Sequence, residues 1–188
     1  MPRLQVIIAS TRPGRVGLPI GAWFADFAQR HGQLEVRVVD LAVVNLPMLD
    51  EPKHPRFAQY EKLHTKAWSA TVAEADAFVF VTPEYNYAAP PTLMNALNFL
   101  FQEWAYKPVG FVSYGGIAGG TRAVQMLKLS VTALRMMPLP EAVTLPFAVK
   151  QIDAGAFKAT ETNEQAAKVM LDELARWTDA LAPLRKKS

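Results

Sequence analysis

Cysteine is absent from all 188 residues of the chain. This absence excludes disulfides, thiolate nucleophiles and cysteine metal sites, and with them any phosphatase that needs a cysteine nucleophile. Histidine is scarce, and His31, His54 and His64 lie far apart in the sequence, without the spacing of metal ligands. No metal site is therefore expected.

The chain also lacks a long apolar segment and the layout of a signal peptide. No run approaches the length of a membrane span, and Met1-Pro2-Arg3 leads directly into the first predicted strand. We therefore expect a soluble, cytoplasmic protein without a membrane span.

Positive charge is not concentrated along the chain. The net charge is +3 and the pI about 9.2, but there is no basic stripe of the kind that nucleic-acid binders carry. Nucleic acid is therefore not an expected partner, and the basic tail at residues 185–187 is expected to be a solvated end. A mild positive excess is compatible with anionic small ligands such as phosphates.

Strand and helix patterns alternate along the chain, which is typical of a doubly wound parallel sheet. Strands are predicted at residues 3–9, 35–41, 77–81 and 109–112, and within 141–145. The run at 77–81 is continuously apolar, as in a strand buried on both faces. The run at 35–41 half alternates, which favours an edge strand. We expect one domain, residues 1–188.

Five helices are predicted between and after these strands. The first ends at Gly32, the third begins after Pro90-Pro91, and the fourth runs from Gly119-Gly120 to about residue 134. Apolar residues at helical spacing define the others. These stripes are Ile20, Trp23, Phe24 and Phe27 in the first helix; Phe57, Tyr60, Leu63 and Ala67 in the second; Leu93, Leu97, Leu100 and Trp104 in the third; and Ala166, Met170, Leu174, Trp177 and Leu181 in the fifth.

The loop after the first strand has the composition of an anion site. It carries hydroxyls at Ser10 and Thr11, guanidiniums at Arg12 and Arg15, and leads into a helix N-terminus at Gly17. Free backbone N–H groups and the helix dipole favour negative charge there. The loop matches neither a Walker P-loop nor a Gly-x-Gly-x-x-Gly fingerprint. A polar turn with a surface Arg is the alternative, and the other two loops favour the phosphate interpretation.

The loop after the third strand is suited to a planar ring. Tyr85 and Tyr87 offer aromatic faces, and the Asn86 amide with nearby backbone N–H groups can meet a polar ring edge. Glu84 is better suited to fixing the shape of the loop, since a carboxylate would repel an anionic cofactor. The alternative is an ordinary loop with two half-buried tyrosines.

The loop after the fourth strand, residues 113–122, is rich in glycine, so its backbone can approach a ligand closely. Its glycines could equally serve close packing of the fourth helix on the sheet. In open α/β sheets, ligands bind beyond the carboxyl ends of the strands, at a topological switch point. Ligand-like loops after strands one, three and four therefore predict the strand order 2-1-3-4-5, with helices on both faces, which is the flavodoxin-like layout.

Three motifs together resemble a known family. They are Ser10-Thr11-Arg12-Pro13-Gly14-Arg15, then Thr82-Pro83-Glu84-Tyr85-Asn86, and then Ser113-Tyr114-Gly115 with Gly119-Gly120-x-Arg122-Ala123. In order and spacing they resemble the NAD(P)H-dependent FMN reductases, which include quinone, azo-dye and chromate reductases. The resemblance covers about the first 135 residues and continues in element order to the C-terminus.

The resemblance implies a non-covalently bound FMN. Ser10, Arg12 and the backbone near Gly17 would take the phosphate. The loop from Pro83 to Tyr87 would hold the isoalloxazine ring, and residues 113–116 would line its other side. Many members have Ser at the start of the first helix, where this chain has Val16-Gly17, so backbone N–H groups with Arg15 would make up that contact. The full implied set is Ser10, Arg12, Arg15, Val16, Gly17, Pro83, Glu84, Tyr85, Asn86, Tyr87, Ser113, Tyr114, Gly115 and Gly116.

The implied mechanism needs no catalytic side chain, because the cofactor carries the chemistry. NADPH or NADH would pass a hydride to flavin N5 and leave. A small-molecule acceptor such as a quinone, flavin, azo compound or metal oxyanion would then take the electrons, giving ping-pong kinetics.

The resemblance also implies a homodimer or homotetramer that uses the third and fourth helices. Phe99, Phe101 and Trp104 in the third helix, and Val124 and Met126 in the fourth, are consistent with such an interface.

Two other interpretations stay open. One is a flavodoxin-like electron-transfer module without its own NAD(P)H activity, although the basic charge and the Arg in the phosphate loop favour the reductase. The other is a flavin-free binding or regulatory protein on the same fold, because fold does not imply function.

Overall fold

Five strands and six α-helices make up most of the computed structural model, which describes residues 1–185. The strands of the central sheet are β1 (Arg3–Ile8), β2 (Glu35–Asp40), β3 (Ala77–Pro83), β4 (Pro108–Gly115) and β5 (Met137–Pro146). The helices are α1 (Gly17–His31), α2 (Leu41–Val44), α3 (Leu63–Ala73), α4 (Pro91–Asn98), α5 (Thr121–Ala133) and α6 (Glu161–Arg185). A short antiparallel pair, β6 (Ile152–Asp153) and β7 (Ala156–Phe157), precedes α6.

The central sheet is parallel throughout and has the order β2-β1-β3-β4-β5. The predicted order is therefore confirmed, and so is the edge position of β2. The other edge strand, β5, contains Pro138 and Pro140. Proline is tolerated there because an edge strand has one side without ladder hydrogen bonds.

Helices cover both faces of the sheet, as predicted. All seven residues of β3 are buried, and they alternate between two apolar layers. Phe78 and Phe80 belong to the layer formed with α3, α4 and α5. Val79 and Val81 belong to the layer formed with α1 and α6. This burial on both faces explains why the β3 sequence reads as a continuous apolar run.

Several predicted boundaries are wrong around the second helix. Phe57 lies in a 3₁₀ turn, Pro55–Phe57, and α3 begins only at Leu63. Glu51 accounts for part of this difference, because its carboxylate accepts the N–H groups of Glu61 and Lys62 and holds them outside the helix. The short helix α2 was not predicted. It forms where the Asp40 carboxylate accepts the Ala42 N–H, 3.0 Å away.

The third predicted helix is also shorter than its apolar stripe. Helix α4 ends at Asn98, and Trp104 lies in a separate 3₁₀ turn, Gln102–Trp104. Trp104 still reaches the core, where its indole N–H donates to the Leu97 carbonyl. Apolar spacing alone does not separate a long helix from a helix followed by a turn that fills the same layer.

Strands β3, β4 and β5 extend beyond their predicted limits, and β6 and β7 were not predicted. As a result, Pro83, Ser113, Tyr114 and Gly115, which were expected in loops, are strand residues.

Part of the basic tail lies outside the described residues, at 186–188. Arg185 is not a solvated end, because its guanidinium donates to the Tyr106 carbonyl and to Asp76. In residues 1–185, no helix combines the length and apolarity that crossing a membrane requires.

The residues named for an interface are mostly core residues. Phe99 and Trp104 are fully buried within the chain and Val124 is nearly so, whereas Met126 is half exposed. Phe99, Trp104 and Val124 are therefore not available to a partner surface, because they already pack in the layer beneath α4 and α5.

Candidate functional site

The three predicted loops meet at a cleft of about 360 Å³ at the carboxyl edge of the sheet. Its lining residues are Ser10, Arg12, Arg15, Val16, Pro83, Glu84, Tyr85, Tyr114, Gly115, Gly116, Ala148 and Val149. The fold thus brings together residues from the ends of four strands. The predicted residues outside this lining are Gly17, Asn86, Tyr87 and Ser113.

The loop after β1 is shaped by a turn at Pro13-Gly14. The Arg15 N–H donates to the Arg12 carbonyl at 3.1 Å, and Gly14 has a φ of 69°. Proline followed by a glycine with positive φ is the pattern of a type II turn. This turn places the following residues at the first turn of α1, where no side chain caps the helix and no acidic residue is present.

The two arginines of this loop have different environments. The Arg15 guanidinium lies 2.5 Å from an Asp40 carboxylate oxygen and donates to the Ser10 carbonyl at 2.8 Å. Only 12% of the Arg15 side chain and 15% of the Asp40 side chain are exposed. Arg15 therefore connects the loop to β2. Part of its guanidinium already makes hydrogen bonds within the protein, so fewer of its N–H groups remain for a ligand.

Arg12 is exposed. Within residues 1–185, its guanidinium makes no hydrogen bond and no ion pair. An exposed cation beside an uncapped helix N-terminus is a favourable arrangement for binding an anion. The Arg12 side chain is the part of the loop that is free to bind one.

Three hydroxyls lie behind these cations. The Ser10 and Tyr85 hydroxyls are 2.7 Å apart and share a hydrogen bond. The Tyr114 hydroxyl is buried and, among residues 1–185, makes no hydrogen bond of normal geometry, although the Ser10 hydroxyl lies near enough to interact with it. Burial raises the pKa of Tyr114, so its hydroxyl keeps its proton and stays a donor. The exposed Arg12 guanidinium and the buried Tyr114 hydroxyl are both groups that can bind a phosphate.

The loop after β3 is a tight two-residue turn. Tyr85 and Ala88 exchange both backbone hydrogen bonds, at 2.9 and 3.0 Å. Asn86 and Tyr87 between them have φ values of 50° and 71°. Two central residues with positive φ form a type I′ turn, in which a tyrosine is costly. The turn directs Tyr87 away from the cleft, so that its ring is largely exposed.

Glu84 has the loop-fixing role that the sequence favoured. Its carboxylate accepts the backbone N–H of Arg122 at 3.1 Å and the Arg122 Nε at 2.6 Å. Burial opposes the charged form of Glu84, but the hydrogen bonds and charge of Arg122 outweigh it, and the net pKa is lowered. The carboxylate is therefore ionised, and its oxygens accept hydrogen bonds from Arg122 at the start of α5.

The glycine-rich segment after β4 splits into two roles. Gly115 and Gly116 line the cleft. Gly119 and Gly120 instead pack on the sheet, with φ values of 56° and 85°. Ser113 belongs with the second pair, because it is fully buried and its hydroxyl donates to the Gly119 carbonyl at 2.8 Å. The structure therefore gives Ser113 a role in holding this segment rather than a place in the cleft.

Ala148, Val149 and Arg122 were missed as members of the site. Ala148 and Val149 follow β5, and only the strand order indicates that this loop reaches the same edge. Arg122 had a detectable signal, since it follows Gly119-Gly120 at the start of α5, but its pairing with Glu84 depends on the register between β3 and β4.

The sequence matches the family model of the NADPH-dependent FMN reductases across residues 2–150. The chain belongs to this family. An NAD(P)H-dependent FMN reductase of Schizosaccharomyces pombe is 40% identical over 148 residues, covering 77% of this chain and 74% of that protein. A quinone reductase of Pseudomonas putida is 26% identical over 182 residues, covering 93% of each.

Solved structures agree with this assignment at the level of the fold. The flavoenzyme NAD(P)H:acceptor oxidoreductase FerB of Paracoccus denitrificans superposes with a TM-score of 0.75 and 20% identity, covering 96% of this chain and 98% of that one. Members of the FMN reductase family are oxidoreductases.

Proposed function

We propose that this protein is an NAD(P)H-dependent oxidoreductase that holds FMN in the cleft and passes electrons to small-molecule acceptors. The observation that carries the proposal is that the exposed Arg12 guanidinium and the buried Tyr114 hydroxyl line the same cleft at the start of α1, neither making a well-formed hydrogen bond within residues 1–185. Both groups suit a phosphate. When bound there, FMN would supply the redox chemistry between NAD(P)H and the acceptor.

The residues divide into two ends of the cleft. Ser10, Arg12, and the backbone at Val16 and Gly17 would hold the phosphate. Tyr85, with the backbone of Pro83, Gly115 and Gly116, would hold the flavin ring. Gly116 suits this position because no atom lies within 4 Å of a Cβ built there, so the backbone leaves open space beside the ring site.

Asn86 and Tyr87 would serve the ring through the shape of their turn. Glu84 would contribute indirectly, by holding the loop after β3 in its conformation. No described side chain is assigned a proton-transfer role, because the hydride and electron chemistry belongs to the cofactor.

The acceptors would be quinones, flavins, azo compounds or similar molecules. The names of the relatives support this range, and one cleft would serve NAD(P)H and the acceptor in turn. We therefore expect ping-pong kinetics, seen as parallel double-reciprocal lines when both substrates are varied. Intersecting lines would contradict the shared cleft.

The decisive test is the visible spectrum of the purified protein after incubation with FMN and desalting, followed by NADPH or NADH without air. Retained flavin absorbance that bleaches on addition is the expected result. Retained flavin that does not bleach would instead support an electron-transfer module. A protein that retains no flavin would contradict a bound FMN cofactor.

We also propose that the chain acts as one FMN-binding domain and assembles as a homodimer or homotetramer through α4 and α5. Met126 and Leu129 support this, since both are apolar residues of α5 with 52% and 77% exposure. Sedimentation as a dimer or tetramer is expected, and a monomer at micromolar concentration would contradict it. The proposal places the protein in the cytoplasm, which cell fractionation would check.

A further inference from the structure

The Tyr114 hydroxyl is a buried donor that makes no well-formed hydrogen bond within residues 1–185. Tyr114 lies near the end of β4 and is 5% exposed. Within residues 1–185 its hydroxyl makes no hydrogen bond of normal geometry, and the nearby Ser10 hydroxyl, which interacts with it, is already bonded to Tyr85. Buried polar groups are nearly always hydrogen-bonded, because an unsatisfied one loses its hydration without compensation. A buried donor that adjoins a ligand cleft without a well-formed hydrogen bond is therefore available to a ligand.

The position of this hydroxyl is fixed by its contact with Gly17. A Cβ built at Gly17 would lie 2.6 Å from the Tyr114 oxygen, nearer than real Cβ atoms approach other heavy atoms. Gly17 is the first residue of α1. The hydroxyl therefore lies against the first turn of the helix, in the space that a side chain at position 17 would fill. Glycine is required here for room and not for an unusual backbone angle.

The surroundings of the hydroxyl are those of the anion end of the cleft. Arg12 and Arg15 line the same cleft as Tyr114. Within residues 1–185, the first turn of α1 has no side-chain cap and no acidic residue, so its N–H groups add positive potential. Because Arg15 is bound to Asp40, this end lacks one of the contacts that the sequence had suggested.

We propose that the Tyr114 hydroxyl donates a hydrogen bond to the FMN phosphate at the start of α1, and that Gly17 is the residue that makes room for it. This inference rests on the proposed function of the cleft as an FMN site. It moves Tyr114 from the side of the ring, where the family resemblance had placed it, to the phosphate. A hydroxyl from β4 thus supplies the contact that Val16 and Gly17 have no polar side chain to make.

The test compares FMN with riboflavin, which lacks only the phosphate, in Tyr114→Phe and wild-type apoprotein. For FMN we expect the dissociation constant to rise roughly tenfold or more, as for loss of a hydrogen bond to a charged group. For riboflavin we expect no change. Flavin fluorescence titration measures both constants. Tyr106→Phe is the matched control, since Tyr106 precedes β4 at the opposite edge of the sheet.

Thermal melting separates this role from a structural one. Removing a buried hydroxyl that makes no well-formed hydrogen bond should leave the apoprotein melting no lower than the wild type, while the FMN-saturated variant melts below FMN-saturated wild type. A hydroxyl that only maintained the fold would lower both melting temperatures. A lower melting temperature in the FMN-saturated form alone therefore identifies a ligand contact.

A rescue variant tests the spatial part of the inference. Tyr114→Phe removes the atom that closes position 17, so Gly17→Ser in that background has room for a hydroxyl of its own. We expect the double variant to recover part of the lost FMN affinity and to leave riboflavin unchanged. Gly17→Ser alone should weaken FMN binding, because its side chain collides with the Tyr114 hydroxyl.

The outcomes separate this inference from the proposed function. Wild-type protein that binds FMN no better than riboflavin would overturn the phosphate site and this inference with it. Wild-type protein that prefers FMN, with Tyr114→Phe keeping the full preference, would overturn only the role of Tyr114. Loss of affinity for both flavins in Tyr114→Phe would overturn it too, since the hydroxyl would then act on the ring or the fold.

Discussion

The guanidinium of Arg122 lies over the ring of Tyr87, with 4.0 Å between its central carbon and the ring centroid. The same guanidinium is bound to the carboxylate of Glu84. One side chain at the start of α5 therefore contacts both the residue that precedes the turn after β3 and a central residue of that turn. This turn carries two residues in the left-handed region, a conformation that costs energy and persists only when its surroundings hold it. Arg122 is a positioning residue for the loop that lines the cleft.

Replacing Arg122 with Gln should raise the pKa of Glu84 relative to the wild type. In the wild type, burial raises this pKa and Arg122 more than offsets it. Without the guanidinium, only the backbone N–H groups of Arg122 and Ala123 oppose the effect of burial, so the pKa rises. The depressed wild-type pKa contributes stability that is present above the unfolded-state pKa and is lost as the pH falls through the folded-state value, and in the variant this loss is smaller. Carbon-detected NMR titration of the Glu84 carboxyl measures the change. Arg176→Gln, in an exposed pair on α6, should leave it unaltered.

Arg12→Ala should weaken FMN binding more than tenfold, because a charge-assisted contact to phosphate is worth roughly 1.5–3 kcal/mol. Riboflavin affinity should change little, since the lost charge faces the phosphate. Fluorescence titration of both flavins measures this. The folded state of the apoprotein should keep its stability, as the Arg12 guanidinium has no ion pair to lose in residues 1–185. An unchanged FMN dissociation constant would contradict the assignment.

Arg15→Ala should act on the fold instead. It leaves Asp40 as a largely buried carboxylate without its cation and should cost about 3 kcal/mol of unfolding free energy. The matched experiment adds Asp40→Ala, which removes the unpaired carboxylate. The double variant should therefore lose less unfolding free energy than the sum of the losses in the two single variants. Urea denaturation of the apoproteins gives all the values. Strictly additive losses would show that the ion pair is not coupled.

The fold could be predicted from the sequence further than the site could. The continuous apolar run of β3 and the ligand-like loops after three strands were enough to predict the strand order. Residue roles depend instead on contacts between distant parts of the chain. Ser113 and Arg15 are residue types that suit a phosphate or ring site. In the structure, however, the Ser113 hydroxyl donates to the Gly119 carbonyl and the Arg15 guanidinium donates to Asp40. No local sequence pattern predicts these pairings, because they arise from the register between neighbouring strands.

Gly120→Ala should be far more damaging than Gly155→Ala. Both glycines have a φ of at least 80°, so both substitutions carry the same backbone penalty of about 1–2 kcal/mol. A Cβ at Gly120 would also lie 2.9 Å from the Tyr114 nitrogen, whereas nothing lies within 4 Å of one at Gly155. Overpacking of this kind adds about 1–3 kcal/mol. Denaturant unfolding of the two variants measures the difference, and equal losses would contradict close packing of α5 against β4.

The buried Lys107 should cause the free energy of unfolding to increase as the pH rises above neutrality. Its ammonium is buried beneath the end of α3, where it donates to the Val72 carbonyl at 2.9 Å and the Ala73 carbonyl at 3.3 Å. Burial lowers the pKa of Lys107 from 10.5 to about 8. Between these two values the unfolded chain holds the proton and the folded chain does not, so the free energy of unfolding increases with pH.

The size of this increase is up to roughly 3 kcal/mol, from the pKa difference and about 1.4 kcal/mol per unit. The neutral amine keeps two N–H donors for the two carbonyls, so deprotonation leaves the hydrogen bonds in place. Denaturant unfolding between pH 7 and about 10.5 should show the rise in wild type and in the exposed-site control Lys66→Met, and not in Lys107→Met. Parallel curves for wild type and Lys107→Met would mean that the buried ammonium keeps its proton, since only a proton lost on folding gives this slope.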